Sequence, residues 1–333
     1  MKRAGNLYPQ IYLYDNLVSA FHKAARGKRG RADVMVYYRN LDGELERLRQ
    51  ELMAHRPRVG AYRFFKIHDP KPRSICAAAF PERVLHHAVM NVCEPVFERY
   101  AIYDSYACRR GKGNLAALER ARGFSRRFPW YLKLDVEKYF DSVDHDILMA
   151  LLERRFKDGE VLELFRRILD SYHHRPGRGL PIGNLMSQHW ANFYLGHLDH
   201  WIKEAAGVQG YVRYMDDMIV WGRSRRELKE RYSEIRAFLW DELHLRPKGS
   251  IQLNQCRYGI PFLGFRVFPH GFRLGRARWR RTREKSLAAR AAFEQERWDE
   301  TDLSRHGDAV IGSLKPADSP GVRRRIFQFG KGA

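Results

Sequence analysis

Leu41, Leu45, Leu48 and Leu52 recur three and four residues apart among charged neighbours, the period of a helix that buries one face. Residues 1–58 accordingly read as helical and polar, with this leucine face turned to a core. Arg26-Gly27-Lys28-Arg29-Gly30-Arg31 reads as a basic loop, open either to solvent or to phosphate. Pro57 closes the segment, and the pattern then shortens. Tyr62-Arg63-Phe64-Phe65-Lys66-Ile67 predicts a strand, and Ser74 to Ala79 the returning one. Between them, two prolines stiffen Asp69-Pro70-Lys71-Pro72-Arg73 and display Lys71 and Arg73. Val84, Leu85, Ala88, Val89, Val92, Val96 and Phe97 mark a helix that Pro95 is expected to kink or end. His86 and His87 are neighbours on it, poor spacing for metal ligation from one face, and read as structural.

Further along, Ser105-Tyr106-Ala107-Cys108-Arg109-Arg110-Gly111-Lys112-Gly113 precedes a helical stretch from Asn114 to about Arg122. Backbone N–H groups, a helix start and cations together suit phosphate. Tyr131 to Val136 predicts a buried strand that ends in an acid, Asp135. Asp144 is placed to cap a helix whose apolar face is Ile147, Leu148, Leu151, Leu152 and Phe156. A Gly- and Arg-rich loop leads to Leu180-Pro181-Ile182-Gly183-Asn184-Leu185-Met186-Ser187-Gln188, then to a helix bearing Trp190, Phe193, Tyr194, Leu198, Trp201 and Ile202. Gly183 admits another backbone or a base at close range. Residues 227–243 read as helix, 245–253 as a turn and strand holding Lys248, and Phe262 to Phe268 as a strand pair. No internal repeat or low-complexity segment is evident.

Gly210-Tyr211-Val212-Arg213-Tyr214-Met215-Asp216-Asp217-Met218-Ile219-Val220-Trp221 holds the sharpest chemistry. Strand-forming residues flank two adjacent acids, which predicts a hairpin with Asp216 and Asp217 at its tip. For an isolated Asp-Asp pair a solvated turn is the plainer explanation. Asp135 shifts the balance, because an acid at the end of a core strand is costly unless paired or bound to metal. Three carboxylates of this kind suit a hard divalent cation.

Composition narrows the partner. At 333 residues, with 44% hydrophobic and 13% aromatic residues, the chain can bury a large core in two or three subdomains. Lys plus Arg is 61 against 39 for Asp plus Glu, and the resulting net charge of +22 calls for a polyanion. No run approaches the roughly 20 apolar residues of a membrane span, and the N-terminus has no apolar signal core. Nucleic acid is therefore the expected partner, with no membrane. Cys76, Cys93, Cys108 and Cys256 are widely spaced and form no C-x-x-C pair, which fits reduced thiols in a cytoplasm. From Arg273 the composition shifts: Arg276, Arg278, Arg280, Arg281, Arg283 and Lys285 follow closely, and Arg323 to Arg325 repeat the theme.

These residues, taken in order, resemble the reverse transcriptases. Tyr214-Met215-Asp216-Asp217 looks like their Y-x-D-D hairpin, and Leu134-Asp135 with Phe140 like their first catalytic strand. Lys248 and Phe262-Leu263-Gly264-Phe265 resemble the later motifs, and Lys71-Pro72-Arg73 with Ser105 to Arg109 resemble the fingers motifs. The match covers roughly residues 6 to 270. Most such enzymes carry Q-G-x-x-x-S-P before the long helix, where this chain reads Ile182-Gly183-Asn184-Leu185-Met186-Ser187-Gln188. That form, with Asn6-Leu7-Tyr8-Pro9-Gln10 and Tyr106-Ala107-Cys108-Arg109, resembles the reverse transcriptases of diversity-generating retroelements. That family copies a template-repeat RNA into cDNA with frequent errors at template adenines. The cDNA replaces a variable repeat in a target gene, and a small basic accessory protein usually takes part.

The resemblance implies an α+β right-hand polymerase: a helical segment over 1–58, fingers over 59–130 with part of 157–180, a palm of antiparallel sheet backed by helices over 131–270, and a small helical thumb over 271–333. It implies two Mg²⁺ ions, replaceable by Mn²⁺, on Asp135, Asp216 and Asp217. Lys71, Arg73 and Arg109 would clamp the triphosphate. Lys248 would protonate or neutralise the leaving pyrophosphate, or else be a plain surface lysine. Phe140 would bar a 2′-hydroxyl from the sugar site, the alternative being a core phenylalanine. Ile182, Gly183, Ser187 and Gln188 would face the template. An aliphatic Ile182 in place of an amide forgoes a polar contact of about 1 kcal/mol, enough to relax base discrimination several-fold. Phe262, Leu263 and Gly264 would grip the primer. Arg276, Arg278, Arg280 and Arg281 would hold the nucleic-acid backbone, without sequence preference and with steep salt dependence.

The alternatives are a group II intron, retron or phage-defence reverse transcriptase, and a non-catalytic RNA-binding scaffold with a polymerase fold. The lack of a maturase-like or endonuclease extension after the thumb disfavours the intron, and the three acids disfavour the scaffold. A bacterial, archaeal or phage-encoded cytoplasmic enzyme is expected.

Overall fold

The computed structural model describes residues 2–68, 72–317 and 320–327. Four helices open the chain: α1 (Tyr8–Ile11), α2 (Tyr14–Ala25), α3 (Ala32–Arg39) and α4 (Leu41–Met53). The predicted leucine face holds, with Leu45, Leu48 and Leu52 buried in the main core. An antiparallel hairpin follows, β1 (Tyr62–His68) and β2 (Pro72–Ala78), with Tyr62 opposite Ala78. Helix α5 (Phe80–Tyr100) then runs on past Pro95 rather than ending there. One missing N–H is tolerated because Cys93, Val96, Phe97 and Tyr100 bury that turn of the helix in the core.

Next come α6 (Asn114–Arg127), β3 (Trp130–Leu134), α7 (Tyr139–Ser142), α8 (His145–Glu153), α9 (Gly159–Asp170) and α10 (Leu185–His200), which ends in a π turn over Trp201–Ala205. Then β4 (Gly210–Tyr214), β5 (Asp217–Gly222), α11 (Arg225–Asp241) and β6 (Gln252–Gln255) complete the central unit. Asp144 caps α8 as expected, accepting from the N–H groups of Asp146 and Ile147. Asp158 caps α9 and also accepts from the N–H groups of Leu7 and Tyr8, so it fastens the chain's start to the palm helices.

The central sheet is antiparallel with strand order β4-β5-β3-β6. Alternation sends Leu132, Leu134, Tyr211, Met218 and Val220 into the large core shared with α5, α8, α10 and α11. The opposite face, with Tyr131, Val212, Ile219 and Trp221, packs on Ala117, Leu118, Ala121 and Phe124 of α6. Both faces being covered explains why these strands read as continuous apolar runs. Helix α6 therefore covers the second face of the central sheet.

Three short strands, β7 (Ile260–Phe262), β8 (Phe265–Phe268) and β9 (Gly271–Leu274), make a second sheet whose buried residues join the α6 side of the palm. Helices α12 (Arg276–Glu294), α13 (Glu300–Leu314) and α14 (Pro320–Phe327) enclose a small core of Val310, Leu314 and Ile326. The helical thumb thus begins at Arg276, a few residues after the boundary read from composition, because β9 stays paired with β8. This is a mixed fold of helices and antiparallel sheet arranged as in right-hand polymerases. Among the described residues no helix is long and apolar enough to cross a membrane.

Candidate active site

The β4–β5 hairpin turns through Met215 and Asp216, with Tyr214 paired to Asp217. Met215 takes a left-handed φ of 57°, so the chain reverses in two residues. Asp217 is consequently the first residue of β5 rather than part of a looser tip. On the neighbouring strand Leu134 pairs with Met218, which delivers Asp135 beside the two acids.

The Asp135 carboxyl is thus a near neighbour of Asp216. Burial, and then the neighbouring Asp135 carboxylate, push the Asp216 carboxyl up to about 7. Burial also raises Asp217, against the pull of Lys133, with a smaller upward push from Asp135. Asp135 Oδ1 and Asp217 Oδ1 are buried without a hydrogen-bond partner. Two orphaned anionic oxygens beside a carboxyl of raised pKa are costly in a protein alone. They are the donor set that a hard divalent cation takes up. Among the described residues no three His, Cys, Asp or Glu side chains close into a finished metal cage by themselves. Asp135, Asp216 and Asp217 instead lie side by side at the end of the sheet.

Two lysines attend these acids. Lys248 brings its ammonium to 3.7 Å from Asp135 Oδ2, and its backbone N–H donates to the Asp135 carbonyl at 2.8 Å. Lys133 donates to Asp217 Oδ2 at 2.8 Å and to the Pro261 carbonyl at 2.9 Å. It therefore ties the second acid of the pair to the strand that leads into the Phe262 turn. Sequence reading passed over Lys133. The signal was present, since a residue two before Asp135 shares a strand face with it.

A second omission lies behind the hairpin. Arg213 and Asp199 form a bidentate pair, and the Tyr211 hydroxyl also donates to Asp199. The same guanidinium donates to the Met215 carbonyl at 3.0 Å and to Asn192, so α10 fixes the turn that presents Asp216. Burial opposes the charge on Arg213, but Asp199 outweighs it and holds the guanidinium well above its usual range.

The remaining candidates scatter. Lys71 lies outside the described residues. Arg73 is in β2, opposite Ile67. Arg109 faces inward: its guanidinium donates to Glu98 and to the carbonyls of Ile102 and Ser105. It braces the loop after α5 instead of pointing free donors at a triphosphate. Phe140 is half-buried in α7, edge-on to Tyr139, and packs on the main core.

The Ile182 carbonyl accepts from Cys76 N–H at 2.8 Å, and Asn184 Oδ1 accepts from Ala78 N–H at 3.1 Å, so this loop docks along β2. Gly183 has φ +114°, and a Cβ there would sit 2.8 Å from Ile75. Ser187 is buried, while Gln188 accepts from the Cys108 thiol at 3.5 Å. Leu263 and Gly264 both have positive φ and form the two-residue turn between β7 and β8, with Phe262 buried. Arg278 donates to the carbonyls of Leu263 and Ser313 and stacks over Phe265, so it braces that turn rather than reaching outward. Arg276 and Arg280 are exposed, and Arg280 lies 3.7 Å from Glu284. Arg281 is half-buried on the same helix.

Residues 67–266 match the family model described as reverse transcriptase (RNA-dependent DNA polymerase). The chain belongs to that family. Relatives of this reverse transcriptase domain include a putative COX1/OXI3 intron 1 protein of Saccharomyces cerevisiae, 22% identical over 60% of this chain and 25% of that protein. Another is the group II intron-encoded protein LtrA of Lactococcus lactis, 24% identical over 41% of this chain and 24% of that protein. The chain thus spans about a quarter of the length of these two relatives. The fold is also similar to that of telomerase from Candida albicans, solved with a fragment of telomeric RNA: TM-score 0.50, 12% identity, 84% of this chain and 58% of that one covered.

Proposed function

We propose that the chain is an RNA-directed DNA polymerase of a diversity-generating retroelement, copying a template-repeat RNA into cDNA with errors at template adenines. One observation carries the catalytic part: the β3–β5 and β4–β5 pairings bring Asp135 beside Asp216 and Asp217 inside a reverse transcriptase fold, and buried carboxylate oxygens of Asp135 and Asp217 lack partners. Asp135, Asp216 and Asp217 would hold two Mg²⁺ ions, which supply charge for activating a primer 3′-hydroxyl and neutralising pyrophosphate. Lys133 restrains Asp217 through one oxygen and leaves the other open. Lys248, beside Asp135, places a cation at the rim of the same site. Phe140, six residues after Leu134 in sequence, would bar the ribose 2′-hydroxyl, as the resemblance implies. Template RNA, primer and dNTPs are the partners, with a small basic accessory protein as in retroelements of this kind.

Primer extension on an RNA template with dNTPs and Mg²⁺, comparing wild type with Asp216→Asn, tests the catalytic reading. Loss of synthesis in a variant that folds and still binds the template–primer is expected. Equal synthesis by both removes it. A second reading, an intron-encoded reverse transcriptase, is favoured by the intron proteins among the relatives. Sequencing the cDNA separates the two. Errors concentrated at template adenines support the retroelement, and an even, low error rate supports the intron.

A further inference from the structure

A groove of about 1000 Å³ runs beside the palm, between the edge strand β6 and the β7–β9 sheet. Among the described residues β6 is an edge strand, paired with β3 alone. Arg257, Arg266, Arg273 and Arg276 border the groove, all of them exposed, and no Asp or Glu lines it. Among the described residues none of these four arginines joins an ion pair. Four cations gathered without a counter-charge repel one another, so the arrangement is stabilised by an anion in the groove. Aromatic faces accompany them. Tyr258 is 52% exposed, with the Arg257 guanidinium 4.9 Å from its ring centroid, and Arg273 stacks over Phe268 at 5.0 Å. Exposed Gln252 and Asn254 add amide donors and acceptors.

The groove has a direction. At one end Gln252 pairs with Lys133, the residue that holds Asp217, and Pro261, whose carbonyl accepts from the same ammonium, also lines the wall. At the other end stand Arg257 and Tyr258. Its inner end is therefore next to the acids, and its course follows β6 away from them. Arginines with an exposed tyrosine are the chemistry that tracks a single-stranded backbone while stacking a base.

We propose that this groove binds a single strand of RNA that lies outside the copied hybrid. The proposal rests on the reading of the chain as a nucleic-acid polymerase, but its test is a binding measurement that needs no catalysis. Fluorescence anisotropy of the full chain would be measured with three labelled probes: a single-stranded RNA of about 20 nucleotides, a blunt RNA–DNA hybrid, and the hybrid with a single-stranded RNA overhang. Arg257→Ala/Arg266→Ala is expected to weaken the single-strand and overhang probes about tenfold and to lower their salt slope by about 1.4, two contacts at roughly 0.7 each. Blunt-hybrid affinity and extension on a template without overhang should stay within twofold. Tyr258→Ala should weaken the single strand at least fivefold without changing the slope.

Equal weakening of all three probes overturns the proposal, because the arginines would then belong to the duplex cleft. No change with any probe also overturns it, and would leave the groove to an acidic protein partner. Arg257→Lys/Arg266→Lys guards against misfolding: it retains the charge and should keep the salt slope. Failure of Asp216→Asn to alter synthesis would count against the catalytic reading alone.

Discussion

Arg213 and Asp199, with side chains 1% and 0% exposed, form an ion pair directly behind the hairpin that carries Asp216. The pair links β4 to α10, and through the Met215 carbonyl it sets the turn. Removing either partner strands a charge in the core. Asp199→Asn is expected to cost about 3–5 kcal/mol. Arg213→Lys should also destabilise, since one ammonium cannot reproduce a planar fork. Thermal or urea unfolding measures both, and extension on RNA should fall further than the unfolded fraction explains.

Lys133→Met tests the tether between Asp217 and Pro261. The stem stays and the ammonium goes. Asp217 then has no described hydrogen-bond donor on its side chain, and loss of about 1–3 kcal/mol is expected for this part-exposed pair. DNA synthesis should drop at least tenfold while affinity for the template–primer changes less. Unchanged rates would reduce Lys133 to packing.

Gly183→Ala places a Cβ 2.8 Å from Ile75 and 3.3 Å from the Cys76 carbonyl at a φ of +114°. Strain of about 1–3 kcal/mol is expected, together with displacement of the Ile182 loop from β2. Unfolding curves read the first effect and the cDNA error spectrum the second. In the same spirit Ile182→Gln should narrow misincorporation at template adenines several-fold, and Phe140→Ala should admit ribonucleotides.

The buried histidines give the fold an acid limit. Burial holds His86 near 3, and burial with nearby Arg83, Lys23, Lys28 and His189 holds His87 near 4. Their unfolded value is about 6.5. The folded state thus binds fewer protons than the unfolded one between these limits. Their contribution is complete above about pH 6.5 and is lost as pH falls toward the folded values. Each costs about 1.4 kcal/mol per pH unit in that window. The melting temperature should fall steadily from pH 6.5 to 5, and His87→Gln should flatten the decline. A flat wild-type profile would show that these rings charge within the fold.

Much of this protein was legible along the chain because its signals are local. Leucine spacing gave α4, Asp144 marked the start of α8, and β-formers around Asp216 and Asp217 gave the hairpin. The partners of Arg109 and Arg278 could not be read from the chain, for a common reason. Position in a basic run shows that a guanidinium exists, but its direction depends on carbonyls and carboxylates from other segments. Pro95 was misjudged because burial of its neighbours, invisible locally, outweighs one lost hydrogen bond. Which sheet face α6 covers was likewise invisible along the chain, since only packing reveals it.

The sequence by itself determined most elements, the basic charge and the three acids, since propensity, charge and residue type are properties of the chain. Tertiary structure alone decided that Asp135 stands beside Asp216, that Lys133 and Arg213 brace the hairpin, and that arginines with no ion pair among the described residues gather beside β6. Those facts depend on distances between residues far apart in sequence, and such distances are set by sheet order and packing.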